Sequence, residues 1–233
     1  MLATRHSSIF TCVLVLAAVA LGKENQPAFD DSTVRGLVAH GQSLAENGDH
    51  AAAIEKYDKA IARDPASADA HAWKAASLIS LNRLDDADAQ IQQAIKQNGD
   101  EFTYQMIAGR LEIARGNIDA GSALYDRAAK ASPRDAGKVY ADLAAALVER
   151  KDEKLTGQIE SALKSATSAN PPHLDALFNL GQSYVSAGKP EGRDYLKRYL
   201  DAQAKLPDDQ RDKQKMQLAR KMIRAVDILN QVR

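Results

Sequence analysis

Hydrophobic residues recur every three to four positions along most of the chain, in stretches separated by short polar turns. Leu37, Gly41 and Leu44 fall on one face of a first stretch, and Tyr57 and Ile61 fall on one face of a second. This spacing is typical of amphipathic α-helices that bury a single face. The pattern therefore predicts pairs of helices that pack against each other, with a short turn inside each pair.

The helix-pair pattern repeats at an interval of 34 residues. Five sets of positions show this interval across three successive units: Gly41, Ala75 and Gly109; Gly48, Asn82 and Gly116; Tyr57, Ile91 and Tyr125; Ala60, Ala94 and Ala128; and Pro65, Gly99 and Pro133. A fourth unit is longer by four residues around 150–154, and a fifth resumes with Gly181 and Gly188. A fixed period of this length predicts a solenoid of stacked repeats.

Glycine and proline punctuate each unit. Gly48 and Gly116 lie where a first helix ends, a place that favours a left-handed residue. Pro65, Pro133 and Pro171 follow second helices, because proline cannot continue the hydrogen-bond ladder. A glycine in mid-helix, such as Gly41, costs about 1 kcal/mol relative to alanine. We therefore expect the second helix of the pair to cross closely against it.

With these features the chain resembles the tetratricopeptide repeat family. The segment HGQSLAENGDHAAAIEKYDKAIARDPAS (40–67) looks like a well-formed repeat, and LFNLGQSYVSAGK (177–189) looks like the first helix and turn of another. The resemblance covers about residues 34–201, with Ala75 in place of the usual glycine and Gly99 in place of proline in the second repeat. It implies an all-α, right-handed solenoid of about five helix-turn-helix units.

Two terminal segments lie outside the repeats. Residues 1–8 contain Arg5 and no acid, and 9–22 are apolar and end in small residues, which predicts a secretory signal peptide over 1–22. An uncleaved N-terminal anchor is the alternative. Cys12 lies inside the apolar run, so a lipid attachment site is not expected there. The prediction places the protein outside the cytoplasm, in the periplasm or secreted, with a flexible linker over 23–33.

The C-terminal region, 202–233, predicts one long helix. Leu218, Met222, Val226 and Leu229 recur every three to four residues in it. A solenoid needs a partly polar cap over its last hydrophobic face, and this helix is expected to provide it. A helix that dimerises or binds a partner is the alternative.

Composition excludes several classes of function. Lys plus Arg and Asp plus Glu are both 31, and without a basic surplus nucleic-acid binding is not expected. A single cysteine excludes an internal disulfide and a multi-cysteine zinc site. His40 and His71 could approach each other on neighbouring helices, but no third metal ligand is evident. We expect no metal, no cofactor and no catalytic residues.

The family resemblance implies that first helices line a concave groove. The groove residues expected from it are Val38, Gln42, Ala72, Trp73, Ala76, Met106, Arg110, Phe178 and Gln182. Trp73, Met106 and Phe178 are the expected apolar anchors for a peptide, with a place in the core between repeats as the alternative. The clamp that some family members use for a chaperone carboxylate is absent, since its positions hold Val38, Gln42, Trp73, Thr103 and Ile107.

The sequence therefore predicts an exported adaptor that binds a protein or peptide partner in a concave groove, as part of envelope assembly or secretion. An accessory subunit of an extracytoplasmic enzyme and a homo-oligomerising structural component remain the alternatives. Contact with a membrane is expected only through an uncleaved N-terminal segment.

Overall fold

A computed structural model describes residues 29–231, with side chains up to residue 228. Within this range the chain is all-helical and has no strand, which confirms the expected fold class. The eleven α-helices there are α1 (Val34–Glu46), α2 (His50–Arg63), α3 (Ala68–Ser80), α4 (Leu84–Gln97), α5 (Phe102–Arg115), α6 (Ile118–Ala131), α7 (Ala136–Glu149), α8 (Thr156–Ser168), α9 (Leu174–Ser186), α10 (Gly192–Ala204) and α11 (Lys213–Gln231).

Consecutive helices pack as five pairs, from α1 with α2 to α9 with α10, and each second helix also contacts the next first helix. First helices touch one another across repeats: α1 contacts α3, α3 contacts α5, and α5 contacts α7. Within residues 29–231 the second helices make no comparable contacts with one another. The stack therefore curves with the first helices of the first four repeats on its inner side.

Small residues allow the two helices of a pair to cross closely. A Cβ at position 41 would lie 2.8 Å from Cζ of Tyr57, and one at position 181 would lie 2.8 Å from Cγ of Leu196. Ala60, on the second helix of the first repeat, is fully buried. The expectation that mid-helix glycine serves close packing is confirmed.

The turns inside the pairs use left-handed residues. Gly48 and Gly116 have φ of 83° and 94°, as their positions predict. Asn82 takes the same role in the second repeat with φ of 56°, and Lys151 follows α7 with φ of 54°. A short 3-10 turn over Glu153–Leu155 takes up part of the additional length of the fourth repeat.

The core runs along the stack as a series of apolar clusters between the helix layers. Tyr57, Tyr125 and Tyr199 are fully buried in successive parts of it. At the C-terminal end, Met216 and Ala219 of α11 join a cluster that includes Leu177, Phe178 and Tyr199. The C-terminal helix therefore covers the last repeat, as expected of a cap.

The predicted boundaries change at both ends. Part of the expected linker packs on the first repeat, because Phe29 stacks on the ring of His40 at 4.8 Å and Asp31 bonds to His40 and Lys56. The last helix begins at Lys213 and not near 202, because α10 continues to Ala204 and Pro207 adopts an extended conformation. Asp212 then accepts a hydrogen bond from the Lys215 amide, 2.8 Å away, in the first turn of α11.

The predicted signal peptide, Cys12 and the first part of the predicted linker lie outside the described residues. Among the helices that are described, none is both long enough and apolar enough to cross a membrane.

Candidate functional site

Three side chains at equivalent positions of the first three repeats follow the inner side of the stack. Gln42 in α1, Ala76 in α3 and Arg110 in α5 are 34 residues apart and remain partly exposed. We call this set the inner row. Gln182 holds the equivalent place in α9 and is also partly exposed. Successive first helices carry these positions side by side, since α1, α3 and α5 contact one another.

Four expected groove residues, one turn earlier on the same helices, belong to the core. Val38, Ala72, Met106 and Phe178 have exposed fractions of 8%, 0%, 9% and 5%. Met106 packs in a cluster with Val139 of the next repeat. The ring of Phe178 lies 5.3 Å from that of Tyr199. The expectation that Met106 and Phe178 are open anchors is therefore corrected: contacts with neighbouring helices bury these positions.

Trp73 has an intermediate placement. Its side chain packs against the apolar cluster of the first repeat, which contains Leu37 and Val38, yet it remains partly exposed. The indole therefore contributes to the junction between the first two repeats, and its placement lies between the two alternatives, an open groove anchor and a core residue. It adds an apolar patch at the edge of the inner row.

Arg110 is engaged by the fourth repeat. One guanidinium nitrogen lies 3.2 Å from Oδ1 of Asp142, and another lies 2.5 Å from Oε1 of Glu149. The hydroxyl of Tyr125 donates to Oδ2 of Asp142 at 2.6 Å. Burial acts to lower the pKa of Arg110, but the two carboxylates outweigh it and raise that pKa. Arg110 is thus a charge held between repeats and not a free cation in the groove.

Similar polar contacts tie other neighbouring repeats. The hydroxyl of Tyr104 donates to Oδ1 of Asp69 at 2.6 Å, and Arg115 reaches Asp88 at 3.1 Å. Burial, followed by the Asp69 contact, raises the pKa of Tyr104. The 34-residue period gives no sign of which acid meets which tyrosine, so these contacts could not be expected from the sequence.

Comparison with known proteins identifies the repeats. The profile of the tetratricopeptide repeat family matches residues 44–111, which span parts of the first three helix pairs. A thermophilic repeat protein of this family, TTC0263 of Thermus thermophilus, superposes with a TM-score of 0.56 at 15% identity, over 82% of this chain and 99% of that one. The chain is a tetratricopeptide repeat protein. This fold is typical of scaffolds for protein–protein interaction.

Two further matches show how far the likeness of this tetratricopeptide repeat protein extends. The tetratricopeptide repeat and J domain-containing co-chaperone DNJ1 of Fusarium oxysporum is 30% identical over 188 residues, which are 75% of this chain and 35% of that protein. The chain spans between about a third and a half of the curated relatives that it matches. PilW, a type IV pilus biogenesis factor, shares the fold with a TM-score of 0.54 at 20% identity, over 76% of this chain and 80% of that one.

The tetratricopeptide repeats also form a cleft that sequence reasoning missed. It opens on the outer side, between the second helices α4 and α6, with a volume of about 420 Å³. Ile95 and Leu124 line it, with Leu111 of α5 at its floor, and Ala120 contributes only a methyl group at the rim. Because the cleft lies in the layer of second helices, it gives the solenoid a second surface, separate from the inner row.

The titratable groups around Arg110 lie at the contact between the third and fourth repeats. Arg110, Asp142 and Tyr125 converge there, but the pKa of Arg110 and that of Tyr125 both lie above their ordinary values, so neither group exchanges a proton near neutral pH. His71 is engaged elsewhere, with its ring nitrogens 2.8 Å from Gln90 and 3.0 Å from the Pro65 carbonyl. In residues 29–231, no group of three metal-ligating side chains is placed to hold an ion.

Proposed function

We propose that this tetratricopeptide repeat protein is a non-enzymatic scaffold that binds an extended or helical segment of a partner protein along its inner row. The row supplies the amide of Gln42, the methyl group of Ala76 and the outer edge of Arg110. An amide can bond to the backbone of a peptide, and small side chains between charged or amide groups let that backbone approach closely.

The inner row is the observation that carries the proposal. Its three positions lie on first helices that contact one another, so they form one continuous strip across three repeats. The partly exposed Trp73 offers apolar area beside this strip, and a large aromatic at the centre of an interface commonly dominates binding energy. The ion pairs of Arg110 to Asp142 and Glu149 hold the far end of the strip rigid before a partner arrives.

The rival reading, an enzyme or its accessory subunit, has less support. The titratable groups on the inner side compensate one another, because two carboxylates share one guanidinium. A catalytic acid or base needs a pKa near the working pH. The pKa values of Arg110 and Tyr125 are raised, which moves them further from neutral pH.

We further propose that the protein is exported and acts in envelope assembly or secretion. The apolar run 9–22 behind Arg5 supports export, and PilW, which shares the fold, is named as a pilus biogenesis factor. Mass measurement of the exported protein should show a start near Leu21 or Lys23. An intact Met1 in a membrane pellet would replace cleavage with an N-terminal anchor.

Affinity capture with two matched variants tests the scaffold. Ala76→Arg fills the inner row, and Ala120→Arg fills the rim of the outer cleft. Ala120 is exposed, whereas Ala76 is partly buried against the core, so circular dichroism checks that both variants are folded. We expect a partner that wild type and Ala120→Arg capture equally and that Ala76→Arg loses. Loss with Ala120→Arg alone would move the binding surface to the outer cleft.

A further inference from the structure

The large hydrophobic side chains that remain exposed lie at several places on the solenoid, and the terminal helix carries more of them than any other described element. Among residues 29–228 they are Leu81, Val148, Leu218 and Ile228, and two of the four lie on α11. Leu218 is 41% exposed and Ile228 is 62% exposed. A terminal cap normally presents a polar outer face to keep a solenoid soluble. Exposed leucine and isoleucine on this cap therefore indicate a surface that another molecule covers.

The same helix carries an unbalanced positive charge. Lys213–Gln231 contains five basic residues and one acid, Asp227, and that acid is held by Arg193 at 2.5 Å. Arg220, Lys221 and Arg224 are exposed and form no ion pair with the carboxylates that the structure describes. We call the exposed side chains Leu218, Arg220, Lys221, Arg224 and Ile228 the basic face of α11.

The opposite charge lies at the other end of the molecule. Residues 29–101 contain 13 Asp and Glu against 7 Lys and Arg, although the whole chain is neutral. Glu46, at the end of α1, and Asp85 and Asp86, in the first turn of α4, flank the turns inside the first two repeats. Asp85 is fully exposed and lies 3.4 Å from Arg115, and Asp86 is more than half exposed and pairs with Arg83 at 2.6 Å. The two arginines offset part of the negative charge, and the excess of acids in 29–101 remains.

Another of the exposed hydrophobic side chains belongs to one of these turns. Leu81 directly follows α3 and is 43% exposed, in the turn that leads to Asp85 and Asp86. The turns of neighbouring repeats lie along one edge, since Arg115 at the end of α5 reaches Asp85 and Asp88 across the gap. We call Glu46, Leu81, Asp85 and Asp86 the acidic edge. The acidic edge is complementary to the basic face of α11. Each surface has an exposed apolar side chain near charged ones, and the charges of the two surfaces are opposite in sign.

We propose that the protein associates with itself, with the basic face of α11 in one copy bound to the acidic edge of a second copy. The two surfaces differ, so the contact is heterologous and each copy keeps one free surface of each kind. Such a contact produces open chains or closed rings and not a symmetric dimer. Opposite charges guide the encounter and the apolar side chains are covered at its centre.

Sedimentation velocity on the full chain tests the proposal by charge exchange. One variant reverses the basic face with Arg220→Glu, Lys221→Glu and Arg224→Glu. The other reverses the acidic edge with Glu46→Lys, Asp85→Lys and Asp86→Lys. Wild type should associate increasingly with concentration in low salt and dissociate at high salt, because screening weakens exposed charge pairs. Each variant alone should self-associate about tenfold or more weakly than wild type.

A mixture of the two variants should associate again, because the reversed helix then meets the reversed edge. A control with the same charge change elsewhere, Arg127→Glu, Lys130→Glu and Arg134→Glu, should behave as wild type; all three side chains are exposed. Circular dichroism checks that every variant is folded. The proposal is overturned if wild type is monomeric at all concentrations, or if the mixture does not associate. Binding of wild type to vesicles of anionic phospholipid without self-association would overturn it as well.

Discussion

Gly109 lies directly against the ring of Tyr125, and no larger residue fits between them. A Cβ at position 109 would be 2.8 Å from Cδ2 of Tyr125 and 3.0 Å from the carbonyl oxygen of Gly121. Gly109→Ala should therefore destabilise the protein by about 1–3 kcal/mol, despite the higher helix propensity of alanine. Chemical denaturation followed by circular dichroism measures the change.

Gly157 provides the matched control for that substitution. It lies in α8, and a Cβ at this position would meet nothing within 4 Å. Gly157→Ala should be neutral or stabilise by up to about 1 kcal/mol. Equal effects of the two substitutions would contradict close packing of α5 on α6 as the reason for glycine at 109.

The contact between Asp142 and Tyr125 should contribute measurably to stability. Asp142→Ala leaves the buried hydroxyl of Tyr125 without its partner and removes one of the two acids that bind Arg110, at a cost of about 1–3 kcal/mol. Adding Tyr125→Phe to that variant should cost little more, because the two changes remove the same bond. Denaturation of the two single variants and the double variant measures the coupling.

Additive costs in that cycle would show that the bond between Asp142 and Tyr125 contributes nothing. Asp201 serves as a control, since it is exposed on α10. Asp201→Ala should change the free energy of unfolding by less than about 0.5 kcal/mol.

Stability should fall in strong alkali because of the buried tyrosines. Burial raises the pKa of Tyr57 and Tyr125 above the ordinary value of 10.0, and raises that of Tyr199 to about 12. Folding therefore favours the neutral hydroxyl. The resulting stability is fully present below pH about 10 and is lost as pH rises towards the folded pKa values. Phenolate absorbance and helical circular dichroism, recorded together during titration, test this.

We expect the last phenolate signals to appear only as helical structure is lost. Complete ionisation of all tyrosines in a protein that keeps its full helicity would contradict the buried placement of these three rings.

Trp73 should affect stability as well as binding. Its indole packs on the cluster of the first repeat, so Trp73→Ala should lower the free energy of unfolding by about 2 kcal/mol, less than for a fully buried tryptophan. Gln42→Ala, in the partly exposed inner row, should change it by under about 0.5 kcal/mol. An unchanged melting curve for Trp73→Ala would contradict this packing and indicate that the indole is fully exposed to solvent.

The architecture could be predicted because its causes recur every 34 residues. At positions 41 and 109 an aromatic ring of the second helix leaves no room for a side chain, so glycine is needed at both. The 34-residue spacing of the two glycines therefore follows from the packing of each helix pair. The left-handed turn at Gly116 is equally local. Such features depend on residues that are close in sequence, so they can be recognised in one sequence alone.

The candidate site was harder to predict because it depends on how far successive first helices approach each other. Met106 and Arg110 lie one turn apart on α5, yet the first is buried and the second is partly exposed. Both side chains meet α7, and the sequence of α5 alone does not show how completely that helix covers each of them. The pairing of Arg110 with Asp142 joins residues 32 positions apart in different repeats, beyond the reach of helical periodicity.

Hydrogen exchange on the protein bound to its captured partner tests the central claim most directly, because it reports which helix layer the partner covers. If the inner row binds the partner, amides of α1, α3 and α5 around Gln42, Ala76 and Arg110 should be protected on binding, while those of α4 and α6 beside the outer cleft stay unchanged. Protection confined to α4 and α6, with the first helices unaffected, would contradict the account.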